Sequence, residues 1–317
     1  MKFLKRQKEL NMKKDLISIK DLSVDEIKHI LAVTDKLKVS PKDTGTPLAG
    51  RSMGMIFQKP SNRTRVSFEV GMAQLGGHAI YLGPDTIKLG EREKTSDIAN
   101  TLSRYLDILV ARVFSHSDIV ELAKHSTIPV INGLSDTEHP CQALADVYTI
   151  KEKAGSFKGV KLVFIGDGNN VLHSLLYACA KLGINFTVVT PKNYQPNREI
   201  YNQALLFTKD SGAKLELLND PKAAVKGADF IYTDVWASMG QETQAKKKKK
   251  AFKGFCVNDR LVLLAKQNCK IMHCLPAHRG EEITDSVIDG PNSIVFDEAE
   301  NRLHVQKAVL LWLLGEK

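Results

Sequence analysis

The chain has 317 residues, 43% of them hydrophobic and 26% charged, a balance that excludes a disordered or fibrous protein and fits a soluble globular one. No apolar run approaches the roughly 20 residues that span a bilayer, and the basic start Met1–Lys14 lacks the apolar stretch of a signal peptide, so a cytoplasmic location is expected. The formal charge of +9, five units of it in the run Lys246–Lys250, would serve nucleic acid or an anionic metabolite equally well. The five cysteines, at positions 141, 179, 256, 269 and 274, form no Cys-x-x-Cys pair and suit reduced thiols.

A chain of this length exceeds what one hydrophobic core usually holds, so two domains of comparable size are expected. Hydrophobic patterning begins just after Met12, and residues 1–11 read as an extension without chemistry. Ser23-Val24-Asp25-Glu26 has capping-box spacing, and apolar residues at helical intervals follow it to Leu37. Ser52–Phe57 reads as a buried strand that ends at Lys59-Pro60, and Arg65–Leu75 as the helix opened by that turn. Strands at Ala79–Leu82, Ile108–Ala111 and Pro129–Asn132 alternate with helices at Ser96–Tyr105, at Ile119–His125 and from His139 to Lys153. Gly155 and Gly159 mark a break. A second series follows: strand Lys161–Ile165, helix Leu172–Leu182, strand Phe186–Val189, and further strands at Phe230–Tyr232, Ile271–His273 and Ile294–Phe296. The final segment Val305–Leu314 is an amphipathic helix able to pack back on the first domain. This alternation predicts an α/β fold with two doubly wound domains, each a mostly parallel sheet flanked by helices. The expected bounds are 1–152 plus 303–317, and 153–302.

Ligands of open α/β sheets gather beyond the carboxyl ends of the strands. Ser61-Asn62-Arg63-Thr64-Arg65 lies at such a handover from strand to helix, with two hydroxyls, two guanidinium groups and helix N–H groups able to meet a phosphate dianion. An ordinary Ser-capped, solvated helix start fits the spacing equally well. His139, taken alone, is an ordinary loop histidine. Gly166-Asp167-Gly168-Asn169-Asn170-Val171 also follows a strand, but valine stands where a dinucleotide-binding loop needs its third glycine. Asp234-Val235-Trp236-Ala237-Ser238-Met239-Gly240 reads by itself as a strand-end loop with a buried Trp and Met, and Lys246–Lys250 as a solvated charge run without catalytic role. His273, Cys274 and His278 suggest a metal site, but no second spaced pair of ligands accompanies them, and no metal is expected.

Together the segments are specific. Phe57–Glu69, with Ser61-x-Arg63-Thr64-Arg65 followed by Val66-Ser67-Phe68-Glu69, resembles the aspartate and ornithine carbamoyltransferase family. His139-Pro140-Cys141-Gln142 resembles its His-Pro-x-Gln motif, and Asp297–Arg302 its terminal segment. Asp234-x-x-x-Ser238-Met239-Gly240 and His273-Cys274-Leu275-Pro276 resemble the ornithine branch rather than the aspartate branch.

The resemblance implies that Ser61, Asn62, Arg63, Thr64 and Arg112 hold the phosphate of carbamoyl phosphate. It implies that His139 and Gln142 contact the carbamoyl end, with Cys274 and Leu275 beside it, and that Arg302 closes on the ligand. Asn62 stands where the motif commonly has threonine, which leaves its backbone N–H in place. Lys88 stands where many ornithine enzymes have glutamine and is kept as a further phosphate contact, with a merely exposed lysine as the alternative. Asn170, Asp234, Ser238 and Met239 are the implied ornithine residues: Asn170 for the α-carboxylate, Asp234 for the α-ammonium, and Ser238 and Met239 for the aliphatic chain. The implied catalytic residues are Cys274, Arg112 and His139. The implied reaction is attack by the ornithine side-chain amine on the carbamoyl carbon, giving citrulline and phosphate, with no cofactor. Aspartate and putrescine are alternative acceptors, and a non-catalytic nucleic-acid-binding protein is the alternative of another class. Family resemblance also implies a homotrimer or a larger assembly of trimers, with neither nucleic acid nor membrane as partner.

Overall fold

The computed structural model describes residues 13–39, 45–237 and 245–315. The chain divides into two compact units, 1–141 with 303–317, and 142–302. The passage between them falls inside the helix Pro140–Ala154, ahead of the expected bound at 152, and the return falls at 302/303, inside the helix Val295–Leu314.

The first unit is built on four parallel strands, β1 (Ser52–Phe57), β2 (His78–Leu82), β3 (Ile108–Arg112) and β4 (Val130–Leu134), in the spatial order β2-β1-β3-β4. All but the first residue of β1, and all of β3, are buried, as the continuous apolar runs of a doubly covered parallel sheet require. On one face of the sheet Ile56, Leu109, Ala111 and Val130 pack with Ile98, Ile119 and Leu122 of the crossover helices. The helix Val24–Val39 starts with the expected capping box: Glu26 N–H donates to Ser23 Oγ at 3.1 Å and Ser23 N–H to Glu26 Oε2 at 2.9 Å. The closing turns of Val295–Leu314 pack on this unit, where Lys307 donates to Gln74 Oε1 at 3.0 Å.

The second unit has five parallel strands: β5 (Lys161–Ile165), β6 (Asn185–Val189), β7 (Leu215–Leu218), β8 (Phe230–Thr233) and β9 (Lys270–His273), in the order β7-β6-β5-β8-β9. Its core is assembled from Val163, Ile165, Ile231 and Ile271 of the strands with Trp236, Phe252, Val287 and Val295. The sheets and their helices confirm the α/β class.

One expected strand is absent. Ile294–Phe296 pairs with the sheet only through Ile271 N–H to Asn292 O and Ile294 N–H to Ile271 O, both at 3.0 Å, and Val295 then opens a 20-residue helix. The first turn of that helix buries Val295 and leaves Phe296 exposed, so three consecutive apolar residues mimic a strand without being one. The helix Arg198–Ser211 and strand β7, whose exposure alternates along its four residues, escape the sequence reading because few of their residues are fully buried.

In each unit the strand order reverses at one point. The chain runs from β1 outward to β2 and then returns to lay β3 on the other side of β1; likewise it runs from β5 through β6 to β7 before laying β8 against β5. The crevices outside the carboxyl ends of β1/β3 and of β5/β8 are therefore the topological switch points where such sheets take ligands.

Candidate active site

In the first unit the three candidate segments follow adjacent strands. Ser61 follows β1 and caps the helix Asn62–Gln74, its Oγ accepting from Thr64 N–H at 3.3 Å. Thr64 is buried, Arg63 partly exposed and Asn62 exposed, so the N-terminal turn offers backbone N–H groups and the positive helix end together with a guanidinium. Arg112 closes β3 and is only 7% exposed. Gln58 ties the two strand ends: its N–H donates to Arg112 O at 2.9 Å, and its Oε1 accepts from Phe114 N–H at 2.7 Å.

His139 follows β4, in a turn held by Ser135 N–H to Glu138 O at 2.9 Å and by the buried Glu138 carboxylate, which accepts from Ile19 N–H at 3.2 Å. The next residue, Pro140, opens a helix where its missing N–H costs nothing. Ser61, Thr64, Arg112 and His139 are thus all placed at one edge by a parallel sheet whose strands β1, β3 and β4 are neighbours.

Two further basic residues are placed differently. Arg65 lies over the Tyr81 ring at 3.7 Å and pairs with Glu69 at 3.3 Å, so its guanidinium is engaged on the outer side of the helix. Lys88 is exposed, in the segment between β2 and the helix Thr95–Leu102. Sequence reasoning also passed over Lys59. Burial and the charge of Arg112 push its ammonium below the ordinary lysine range, which places it among the cations of this strand end.

In the second unit the candidates again follow adjacent strands, β5, β8 and β9. Asn169 caps the helix Asn170–Leu182 by accepting from Val171 and Leu172 N–H, each at 3.1 Å, while its Nδ2 donates to Asp234 Oδ2 at 2.6 Å. Asp234 Oδ1 accepts from Val235 N–H at 2.8 Å and from the Cys274 thiol at 3.1 Å. The loop after β5, the end of β8 and the end of β9 are therefore tied together at Asp234, with Asn170 beginning the helix beside it. Asn169, absent from the sequence-based site, was legible as a helix cap but not as the partner of a residue 65 positions away. Ser238 and Met239 lie outside the described residues.

The electrostatics fix how Cys274 behaves. Desolvation, and then the negative charges of Asp234 and Glu298, push its thiol well above the ordinary cysteine value. Cys274 therefore stands as a protonated donor to Asp234. His273, beside it, is fully buried: Nδ1 accepts from Leu275 N–H at 2.9 Å, so the ring proton is on Nε2, which meets Glu282 Oε1 at 3.1 Å. Leu275 takes a left-handed backbone conformation, φ 56°, unusual for a residue with a side chain and of the kind found where function holds a loop in place. Asp234, His273 and Cys274 bring three ligand-type atoms within 4.8 Å of one another. Both His273 nitrogens and the thiol proton are already committed to hydrogen bonds, which disfavours a metal-binding role for the trio.

Gly168 explains the loop that resembles a dinucleotide fingerprint. A Cβ there would lie 2.3 Å from Gln195 O, and Gly168 N–H donates to Tyr194 O at 2.9 Å. The glycine admits the chain's own backbone rather than a pyrophosphate.

The lysine run is not uniformly solvated. It forms the helix Ala245–Ala251, and Lys248 is turned inward to a buried pair with Asp167 Oδ2 at 2.5 Å, while the other four lysines are exposed. Five identical residues hide the phase of the helix, so the inward one is invisible in the sequence. Gln142 and Arg302, expected as ligand contacts, are also joined: Arg302 Nη1 donates to Gln142 Oε1 at 2.5 Å.

Two family models cover most of the chain. One, described as the carbamoyl-P binding domain of aspartate/ornithine carbamoyltransferase, matches residues 14–152, and the other, the Asp/Orn binding domain, matches residues 158–313. An ornithine carbamoyltransferase of Pyrococcus horikoshii is 55% identical over 305 residues, 95% of this chain and 96% of its own. One from Bacillus cereus is 52% identical over 300 residues, 95% of this chain and 94% of its own. The solved ornithine carbamoyltransferase of Pyrococcus furiosus superposes with a TM-score of 0.93 at 54% identity, covering 96% of this chain and 97% of that one. That of Thermus thermophilus superposes at 0.87 and 42%, covering 96% and 99%. The chain belongs to the aspartate and ornithine carbamoyltransferase family.

Proposed function

We propose that the protein transfers the carbamoyl group of carbamoyl phosphate to the side-chain amine of L-ornithine, giving L-citrulline and phosphate. The observation that carries the choice of acceptor is the Asn169–Asp234–Cys274 chain of hydrogen bonds, at 2.6 and 3.1 Å, which sets a carboxylate beside a neutral thiol at the β5/β8 switch point. An aspartate substrate, bearing two carboxylates, would be repelled there, whereas ornithine brings the cations that Asp234 accepts. The relatives bearing the name ornithine carbamoyltransferase support the same choice.

Residues 1–152 with 303–317 form the carbamoyl-phosphate-binding domain in this reading, and 153–302 the ornithine-binding domain. Ser61, Asn62, Arg63 and Thr64 hold the phosphate through the helix N-terminus and a guanidinium fork, with Arg112 as the second cation and Lys88 as an outer contact. Arg112 and His139 donate to the carbamoyl oxygen, stabilising the charge that develops on it in the tetrahedral intermediate. Gln142 offers the carbamoyl –NH2 its side-chain oxygen, and Cys274 and Leu275 flank the same group. Arg302 supports the departing phosphate.

On the acceptor side, Asn170 pairs with the α-carboxylate, Asp234 with the α-ammonium, and Ser238 and Met239 line the chain. An alkyl ammonium has a pKa of about 10.4, so exposing its lone pair near pH 7 costs about 4–5 kcal/mol. Desolvation between Cys274 and Leu275 lowers that cost. Cys274 enters the reaction as a thiol hydrogen-bonded to Asp234, and takes the amine's proton only as it passes its own to that carboxylate.

The fold gives the protein no described helix long and apolar enough to cross a membrane; cytoplasmic location and assembly as a homotrimer, or as trimers of higher order, complete the reading. The word "anabolic" in the name of the Pyrococcus furiosus relative favours the citrulline-forming direction and thus a place in arginine biosynthesis. The test is product formation by purified protein. Carbamoyl phosphate with ornithine is expected to yield citrulline and phosphate in equal amounts, and phosphate release without citrulline would overturn the assignment.

A further inference from the structure

Beneath Cys274 two acids that the proposed chemistry does not use, Asp146 and Glu298, meet Gln142 and Arg302. Asp146 and Glu298 are fully buried, and Gln142 and Arg302 are 2% exposed. Gln142 Nε2 donates to Asp146 Oδ1 at 2.8 Å and to Glu298 Oε1 at 3.2 Å, and Gln142 Oε1 accepts from Arg302 at 2.5 Å. Glu298 Oε2 accepts from the backbone N–H of His273 at 3.0 Å. Arginine can only donate and an ionised carboxylate can only accept, so the orientation of the Gln142 amide is forced: nitrogen towards the acids, oxygen towards Arg302.

Both acids accept from the one Gln142 amide nitrogen, which sets two fully buried carboxylates side by side, and a proton on one of them lets it donate to the other. With one proton the pair carries a single negative charge, and that charge balances Arg302. Without it the buried cluster would hold an uncompensated anion, which costs far more than the pair returns. Desolvation pushes Asp146 up to about 7 and pushes Glu298, with the help of its neighbour, well above the usual carboxylate range. The other titratable groups facing the pair are Tyr232 from β8, Cys179 from the helix Asn170–Leu182, and Cys274 and Asp234 from the strand ends, and burial raises Tyr232, Cys179 and Cys274, keeping them neutral.

We propose that Asp146 and Glu298 form a proton-sharing pair that positions Gln142 and Arg302 for carbamoyl phosphate. The pair touches no substrate. Both acids are positioning residues: they hold the Gln142 oxygen where one lone pair stays available after Arg302 has taken the other. The inference rests on the assignment of Gln142 and Arg302 to carbamoyl phosphate made above.

The test is a steady-state comparison of Glu298→Ala, Glu298→Gln, Asp146→Asn/Glu298→Gln and Arg302→Ala, with KM measured for each substrate and unfolding temperature alongside. Glu298→Ala is expected to raise KM for carbamoyl phosphate by about 100-fold, the scale for losing one member of a buried charged network, and to leave KM for ornithine within about twofold. Glu298→Gln, which keeps a donor towards Asp146 and an acceptor for His273, recovers at least tenfold of that loss. The double variant, with no charge left opposite Arg302, loses it again. The proposal is overturned if Glu298→Gln is as damaging as Glu298→Ala, if neither has an effect, or if both KM values rise together with a fall in unfolding temperature. Should the double variant fail to fold, the contrast between Glu298→Gln and Glu298→Ala decides. An unchanged carbamoyl phosphate KM in Arg302→Ala would instead overturn the underlying assignment; a raised one with silent Glu298 variants would overturn this inference alone.

Discussion

Cys274 and Asp234, 40 positions apart in the chain, meet through a hydrogen bond of 3.1 Å in which the thiol donates and the carboxylate accepts. With the thiol pushed well above its ordinary value, its reactivity is the first thing to measure. Alkylation of Cys274 by iodoacetamide is expected to be slow at pH 8, more than tenfold below an ordinary exposed cysteine, because the thiolate is the nucleophile. Asp234→Asn removes a negative charge from its surroundings and is expected to speed it. Mass spectrometry of the modified peptide checks both; rapid alkylation of the wild type at pH 7 would contradict the assignment.

Arg63 and Arg65 stand two residues apart and differ in engagement, since Arg65 is held over Tyr81 and paired with Glu69. Arg63→Ala is expected to raise KM for carbamoyl phosphate by about 100-fold, the scale of one or two charge-assisted hydrogen bonds to phosphate. Arg65→Ala is expected to change it by less than about threefold. Initial rates at saturating ornithine give both values.

Lys248 and Asp167 form a buried pair, and removing one partner leaves the other charge without compensation. Lys248→Ala is therefore expected to destabilise the protein by about 3 kcal/mol. Lys247→Ala, at an exposed position of the same helix, should stay within about 0.5 kcal/mol. Denaturant unfolding of the two variants separates them, and equal effects would contradict the inward orientation of Lys248.

The Asp146–Glu298 pair makes a signed contribution to stability against pH. Burial raises Asp146 to about 7 from an ordinary 3.8, so between these values the folded chain holds more protons than the unfolded chain. Stability from this group is then present below about pH 4 and is lost as pH rises through about 7, with a limiting slope of about 1.4 kcal/mol per pH unit. Asp146→Asn removes this group from the linkage. The stability of wild type minus that of the variant should fall with rising pH over this window, and a difference that rises would refute the protonated pair.

The fold class was legible because parallel strands buried on both faces leave continuous apolar runs, as in Ser52–Phe57 and Lys161–Ile165. The false strand at Ile294–Phe296 and the missed β7 show the limit of the same signal: it reports burial, and an apolar helix start or an alternating edge strand satisfies or evades it. Of the proposed site, Ser61–Thr64, Arg112, His139, Asn170, Asp234 and Cys274 stood out through their chemistry and family pattern. Asn169, Lys248, Asp146 and Glu298 did not, because each acts through a partner distant in sequence. A helix-capping asparagine, one lysine among five and two helix carboxylates look ordinary until the sheet brings their partners to them.

Ornithine is the proposed acceptor of the carbamoyl group. The most direct test is colorimetric detection of the ureido product when purified protein receives carbamoyl phosphate with ornithine, aspartate or putrescine in separate reactions. Citrulline from ornithine is expected, with kcat/KM at least 100-fold above the value for putrescine, which lacks the α-groups that the proposal assigns to Asn170 and Asp234, and above that for aspartate. Product formed only with putrescine or only with aspartate would rule out ornithine as the acceptor.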